Sequence, residues 1–298
     1  MAMPAAFEIF TPAYDYVDGR LEALLAERLG AVLAENAPAI RAALVLYVLL
    51  HGFSILRGAI AEPVMEFVVR SLKLAVIAAL AGAPAYQDYV TEPLFHILPQ
   101  TVARAISGGT APDIGAAFDQ FYARAAYLAE DLNEAASLTH PGPWLVAALV
   151  YGSAALTAAI GFGIVLMAKV ALALLIALGP FFVACALFEA TRRYFFGWLG
   201  QAVNYIILFG LILAVLQLVF GVVADQWPQI EGGDPVAGGL TFVALCLLAA
   251  LFFFQTPAIA AGIAGGAHAG LSDFAAATGL GRLPHAAAPH VGHLGRNR

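Results

Sequence analysis

The chain has 298 residues; 62% are hydrophobic, 11% are charged and the net charge is −6. A soluble domain carries about 25% charged residues, and no globular core hides uncharged runs of 24, 27 and 28 residues such as 144–167, 198–224 and 236–263. The acidic balance also excludes a basic surface for duplex DNA.

About 20 apolar residues cross the hydrocarbon layer as a helix, and lipid offers the backbone few other ways to satisfy its polar groups. The sequence therefore predicts an all-α, polytopic helical membrane protein. Its opening, MAMPAAFEIF, lacks the basic and long apolar regions of a cleaved signal, so the first span is expected to act as its own insertion signal. Residues 1–36 read as an amphipathic segment, with Leu21, Leu24, Leu25, Leu29, Val32 and Leu33 at helical spacing. That helix lies on the bilayer, packs on the protein itself or docks a partner. A first span follows at 38–56. A weaker one at 64–83 carries Glu66, Arg70 and Lys73 in its first half, with Glu66 and Arg70 spaced to pair.

Gly82, Pro84 and Pro93 then predict a loop. Residues 84–142 form the long non-membrane segment, with two basic and seven acidic residues. Within it, residues 112–137 predict an amphipathic helix capped by Asp113. Phe118, Phe121, Tyr122, Ala125, Leu128 and Leu132 share its apolar stripe, which faces either the chain's own spans or partner subunits. Four apolar blocks follow at 144–167, 169–188, 198–224 and 236–263, and then a tail rich in Gly, Pro, His and Arg. The expected organisation is 1–36 as a periplasmic amphipathic segment and 37–83 as two spans. Residues 84–142 are an acidic periplasmic segment, 143–265 the transmembrane core and 266–298 a cytoplasmic flexible tail.

Short cytoplasmic loops are rich in Lys and Arg. Arg57, Arg70 and Lys73 place the first turn inside and the N-terminus outside, Lys169 marks an inner end, and Asp225, Glu231 and Asp234 place their loop outside. The tail, with Arg282, Arg296 and Arg298, then lies inside. Arg192 and Arg193 also fall inside only if block 169–188 is not a full crossing. Gly179 and Pro180 near its midpoint weaken a helix, so the expectation is five crossings plus a re-entrant broken hairpin. Six full crossings are the alternative. Glu189 is spaced to pair with either arginine.

No phosphate-binding loop, metal motif or catalytic triad is apparent. His51 reads as an internal hydrogen-bonding group, the tail residues His285, His290 and His293 as unstructured, and Cys185 and Cys246 as packing residues. Gly262, Gly266 and Gly270, four apart, allow close helix approach, within one chain or between identical subunits.

The stretch KVALALLIALGPFFVACALFEATRRYFFGWLGQAVNYIILFGL at 169–210 resembles the central signature of the TrbL/VirB6 family, polytopic inner-membrane subunits of bacterial type IV secretion systems. LHGFSILRGAIAEPVMEFVVRSLKLAVI at 50–77 is similar to that family's first two spans. The resemblance implies a subunit without enzymatic activity or cofactor, forming pentamer-like homo-oligomers in the inner membrane. It also implies contacts with pilin, the minor pilus subunit, membrane lipid and the transferred DNA or protein. On this reading Gly179 and Pro180 shape the broken hairpin, Glu189, Arg192 and Arg193 anchor its exit, and Trp198 anchors the next span at the interface. A small-molecule transporter and a membrane scaffold without a secretion role remain the alternatives.

Overall fold

A computed structural model describes residues 8–58, 64–80, 83–107, 113–137 and 140–277, with side-chain surroundings up to residue 265. Eight helices follow in order: α1 Phe10–Leu56, α2 Val64–Leu80, α3 Ala83–Tyr86, α4 Leu98–Ser107, α5 Ile114–Ala135, α6 Gly142–Cys185, α7 Glu189–Gly232 and α8 Pro235–Ala277. Two π-helical turns, Gln87–Thr91 and Pro93–Ile97, join α3 to α4. No strand occurs among the described residues.

Helices α6, α7 and α8 are antiparallel rods joined by tight turns. At 44, 44 and 43 residues each is about 65 Å long at 1.5 Å per residue, twice the hydrocarbon thickness of about 30 Å. Asp234 makes the second turn: its side chain accepts from Ala237 N at 3.1 Å and its carbonyl from Gly238 N at 2.9 Å. Helices α1, α6, α7 and α8 are long and apolar enough to span a membrane, and α2 with the segment Pro84–Ala105, bent by 100° from it, provides a fifth if counted as one broken span.

Blocks 144–167 and 169–188 are a single helix. Lys169 lies within α6, not at its end, and Gly179 and Pro180 are helical, so the hairpin expected at 169–188 does not form. The bent element lies instead at 67–105. The segment expected to be a loop after Gly82 is helical too, since proline in a first helical turn lacks only a donor that would be unpaired anyway. The amphipathic N-terminal segment and the first span likewise form one rod, α1, running through Pro38.

The interior divides along the rods. One core joins α5 to the first half of α6, the second half of α7 and the first half of α8. The other joins Leu21, Leu25, Leu29 and Leu33 of α1, Tyr86 and Phe95 to the second half of α6 and the first half of α7. The stripe on α5 is used within the chain: Phe118, Phe121 and Leu128 are buried against α6 to α8. Gly161 admits the rings of Phe118 and Phe253, each 2.9 Å from where its Cβ would stand. Asp113 caps α5 as expected, accepting from Ala116 N at 3.0 Å.

The two amphipathic helices meet at a buried carboxylate. Asp119 of α5 accepts from Ile9 N, Phe10 N and Thr11 N at 2.8–2.9 Å and from the Thr11 hydroxyl at 2.7 Å, capping α1 from another helix. Gly115 makes room, since a Cβ there would stand 2.4 Å from Thr11 Cα. Further along, Lys169 of α6 donates to Asp18 of α1 and lies over the rings of Tyr14 and Phe95.

Burial would raise the Asp119 pKa, but the hydrogen bonds from Phe10, Thr11 and Ile9 outweigh it and hold it below the ordinary carboxylate value. A depressed folded-state pKa gives stability that is fully present above the unfolded value and is lost as pH falls through the folded one. Asp119→Ala should lower stability by on the order of 3 kcal/mol, because it removes a cap worth about 1 kcal/mol and leaves buried donors unmet. Thermal unfolding in detergent against pH checks this: native and variant curves should stand apart at neutral pH and converge in acid.

Candidate functional site

The signature region folds into the α6–α7 hairpin, where proline chemistry governs the geometry. Pro180 has no N–H, so the Ile176 carbonyl one turn earlier loses its helical donor. An orphaned carbonyl in an apolar interior is costly, and a neighbouring side chain can take the missing role. The Tyr86 hydroxyl does so, donating to Ile176 O at 2.7 Å from a fully buried position. The adjacent Leu175 carbonyl accepts from Trp198 Nε1 at 2.8 Å.

Gly179 is the notch that both side chains enter. A Cβ there would stand 1.7 Å from the Tyr86 hydroxyl and 3.0 Å from Trp198 Cζ2. The Trp198 indole lies parallel to Phe182, ring centroids 6.4 Å apart, with Phe195 at 5.9 Å on another side. Gly179 and Pro180 therefore form a docking point inside a continuous helix. Trp198, expected at the bilayer interface, is turned into the bundle because a buried indole N–H needs an acceptor and Leu175 offers one.

The turn after α6 is closed by its own polar groups. Ala186 N and Leu187 N donate back to Val183 O and Ala184 O at 3.1 Å, and the Thr191 hydroxyl donates to Cys185 O at 2.7 Å. Glu189, exposed in the first turn of α7, complements the positive end of the helix dipole. Arg193 donates to the Tyr194 hydroxyl at 2.9 Å, and its guanidinium lies 4.9 Å from that ring. The Tyr47 ring of α1 reaches the turn at Phe188, centroids 5.8 Å apart. His51 meets Arg70, whose Nη1 is 2.9 Å from Nε2, which gives this histidine the internal hydrogen-bonding role expected of it.

The other predicted residues separate into three groups. Phe118, Phe121 and Leu128 are buried within the chain, leaving Tyr122 partly exposed; as a docking surface for partners the α5 stripe is already occupied. Gly262 is exposed, and a Cβ there would meet nothing within 4 Å among the described residues. The surroundings of Gly266 and Gly270, the Glu66 side chain and the tail residues lie outside the described residues. Among the described residues no three His, Cys, Asp or Glu side chains group as a metal site. The sequence reading missed Tyr86 and Asp119. Tyr86 could have been sought as a donor for the carbonyl that Pro180 frees, but no local pattern pairs residues 90 positions apart.

Residues 44–256 match the family model described as TrbL/VirB6 plasmid conjugal transfer protein. A type IV secretion system protein PtlD homolog of Bordetella parapertussis is 30% identical over 269 residues, covering 84% of this chain and 57% of that protein. The type IV secretion system proteins VirB6 of Bartonella quintana and Bartonella henselae are 22% and 24% identical, covering 90% and 80% of this chain and 84% and 75% of theirs. The chain thus spans little more than half the length of the PtlD relatives and most of the length of the VirB6 ones.

The notch predicts a specific coupling. Tyr86→Phe should lower stability by about 1–3 kcal/mol by leaving the Ile176 carbonyl unmet. In a Pro180→Ala background the backbone N–H returns and the same change should be nearly silent. A double-mutant cycle on thermal unfolding in detergent reads the difference, expected at about 1 kcal/mol or more; additive effects would place the energy of the notch elsewhere.

Proposed function

The chain belongs to the TrbL/VirB6 family, and from that premise we propose that it is a multi-pass inner-membrane component of a bacterial type IV secretion machine. It helps to move DNA or protein and to assemble the pilus, and it has no enzymatic activity of its own. The observation that carries the proposal is the match over 44–256, which includes the Gly179–Pro180 notch, the Arg192–Arg193 turn and most of the three long rods. The small-solute permease reading has no counterpart among the relatives. Its partners on this reading are further copies of itself in a pentamer-like ring, through the helix stretch that carries Gly262, Gly266 and Gly270, together with pilin, the minor pilus subunit and the transferred substrate.

Charge supports an orientation. With α6 a single rod, one end of the hairpins carries Asp225, Glu231 and Asp234 and the other carries Glu189, Arg192 and Arg193. Lys and Arg favour the cytoplasmic side, so α6 runs inward, α7 outward and α8 inward. The α1–α2 connection, flanked by Arg57, Arg70 and Lys73, is also inside. Five crossings then satisfy the charge rule with no hairpin at 169–188, and the N-terminus lies in the periplasm.

Two experiments test these readings separately. Single cysteines at Ser137 and Thr191, in a chain lacking Cys185 and Cys246, should be labelled by an impermeant thiol reagent in intact spheroplasts only at Ser137; the reverse pattern refutes the orientation. Deleting the gene should stop substrate transfer across the envelope while the secretion ATPases persist, with recovery on complementation. Normal transfer in the deletion strain would overturn the secretion role.

A further inference from the structure

The segment that follows Tyr86 is not an ordinary helix. It makes two π-helical turns, Gln87–Thr91 and Pro93–Ile97, and π turns occur often at functional sites. In the first turn the Gln87 carbonyl accepts from Glu92 N, five residues on, where an α turn would use the residue four on. Thr91 is 2% exposed, and its hydroxyl has no hydrogen-bond partner among the described residues. The other buried threonines differ. Thr157 and Thr256 donate to the carbonyls four residues earlier, Ser153 O and Phe252 O, each at 2.8 Å. Thr101 and Thr241 do the same at Ile97 O and Ala237 O. In an α turn Thr91 would donate to Gln87 O in this way. The π turn withholds that bond and leaves a buried hydroxyl unmet, which is destabilising.

What holds the π turn is a contact on either side of it. Before it, Tyr86 enters the Gly179 notch and donates to Ile176 O at 2.7 Å. After it, buried Phe95 lies against the Lys169 ammonium at 5.5 Å, and α4 packs on α7. A π turn holds one residue more than an α turn, so restoring the α ladder rotates one side against the other by about 100°. Of the two sides, α3 is the single turn Ala83–Tyr86, whereas α4 is a longer helix seated on a rod. Tyr86 is therefore the side that gives way. Pro93 does not bar the α state, because α1, α6, α7 and α8 each run through an internal proline.

We propose that Gln87–Thr91 is a two-state register that inserts or withdraws Tyr86. In the π state Tyr86 fills the notch and the Thr91 hydroxyl has no acceptor. In the α state Thr91 donates to Gln87 O, Tyr86 leaves the notch, and the Ile176 carbonyl is open to another donor. Each state gains one buried hydrogen bond that the other lacks, so a change at the notch shifts the balance between them. The register is independent of what the machine transfers.

Nitroxide labels on cysteines placed at Gln87 and Leu156, both exposed, read the register as a distance in the full chain in detergent, without Cys185 and Cys246. Tyr86→Phe removes the bond that favours the π state and should raise the population of a second distance roughly tenfold. Adding Thr91→Val removes the bond that favours the α state and should restore the single distance. Thr91→Val alone should raise the thermal unfolding midpoint, since a methyl group replaces an unmet buried hydroxyl. An unchanged or lowered midpoint shows that the hydroxyl is already satisfied and overturns the proposal. An unaltered distance in Tyr86→Phe also overturns it. So does a second distance that persists with Thr91→Val, which would mark loosened packing at residue 86 and not a change of register. Should Tyr86→Phe fail to accumulate, the midpoint of Thr91→Val decides alone.

Discussion

Where Pro180 interrupts the hydrogen-bond ladder of α6, the freed carbonyl must find a donor, because neither lipid nor an apolar core supplies one. Tyr86 and Trp198 supply donors at this point, and in doing so they fix three elements against one another. The segment after α2 is pinned to α6 through Tyr86, α7 is pinned to α6 through Trp198, and the notch at Gly179 sets how closely both approach. Between membrane helices the hydrophobic effect supplies no drive to associate, so close packing and such hydrogen bonds carry the specificity. A proline in a long apolar helix is thus less a break than a demand for a partner.

The same logic organises the outer layer. Helices α1 and α5 cover the rods with leucine and phenylalanine stripes, but stripes alone do not fix position along an apolar surface. Polar points do. Asp119 fixes where α1 starts, and the Asp18–Lys169 pair fixes its register on α6. Each is a localised polar point within a broad greasy interface, which is how an apolar bundle acquires one arrangement instead of many.

Helix content, the apolar stretches and the α5 cap were legible in the sequence because they rest on local signals: hydropathy over about 20 residues, a 3.6-residue period, a capping side chain. What was not legible is how far a helix continues. Lys169 and Gly179–Pro180 read as punctuation because a window matched to the bilayer treats each apolar block as a crossing. A rod twice that thickness contains two such blocks, and its partly buried lysine is satisfied by Asp18, 151 positions away. The α5 stripe was read correctly as apolar, but what it faces depends on α6 to α8, which no local pattern reveals. The partners of Tyr86 and Trp198 were hidden for the same reason: their acceptors are distant carbonyls, and a carbonyl has no residue type.

The distribution of charge survived this change in helix length. Acidic residues cluster at one end of the hairpins and arginines at the other whether residues 142–185 form one helix or two elements, because the ends, not the interior, carry the charge. The hairpin at 169–188 was required only to keep the parity of crossings consistent with that distribution, and one continuous α6 achieves the same parity with no re-entrant segment. Rods that exceed the hydrocarbon layer must also leave part of their length outside it.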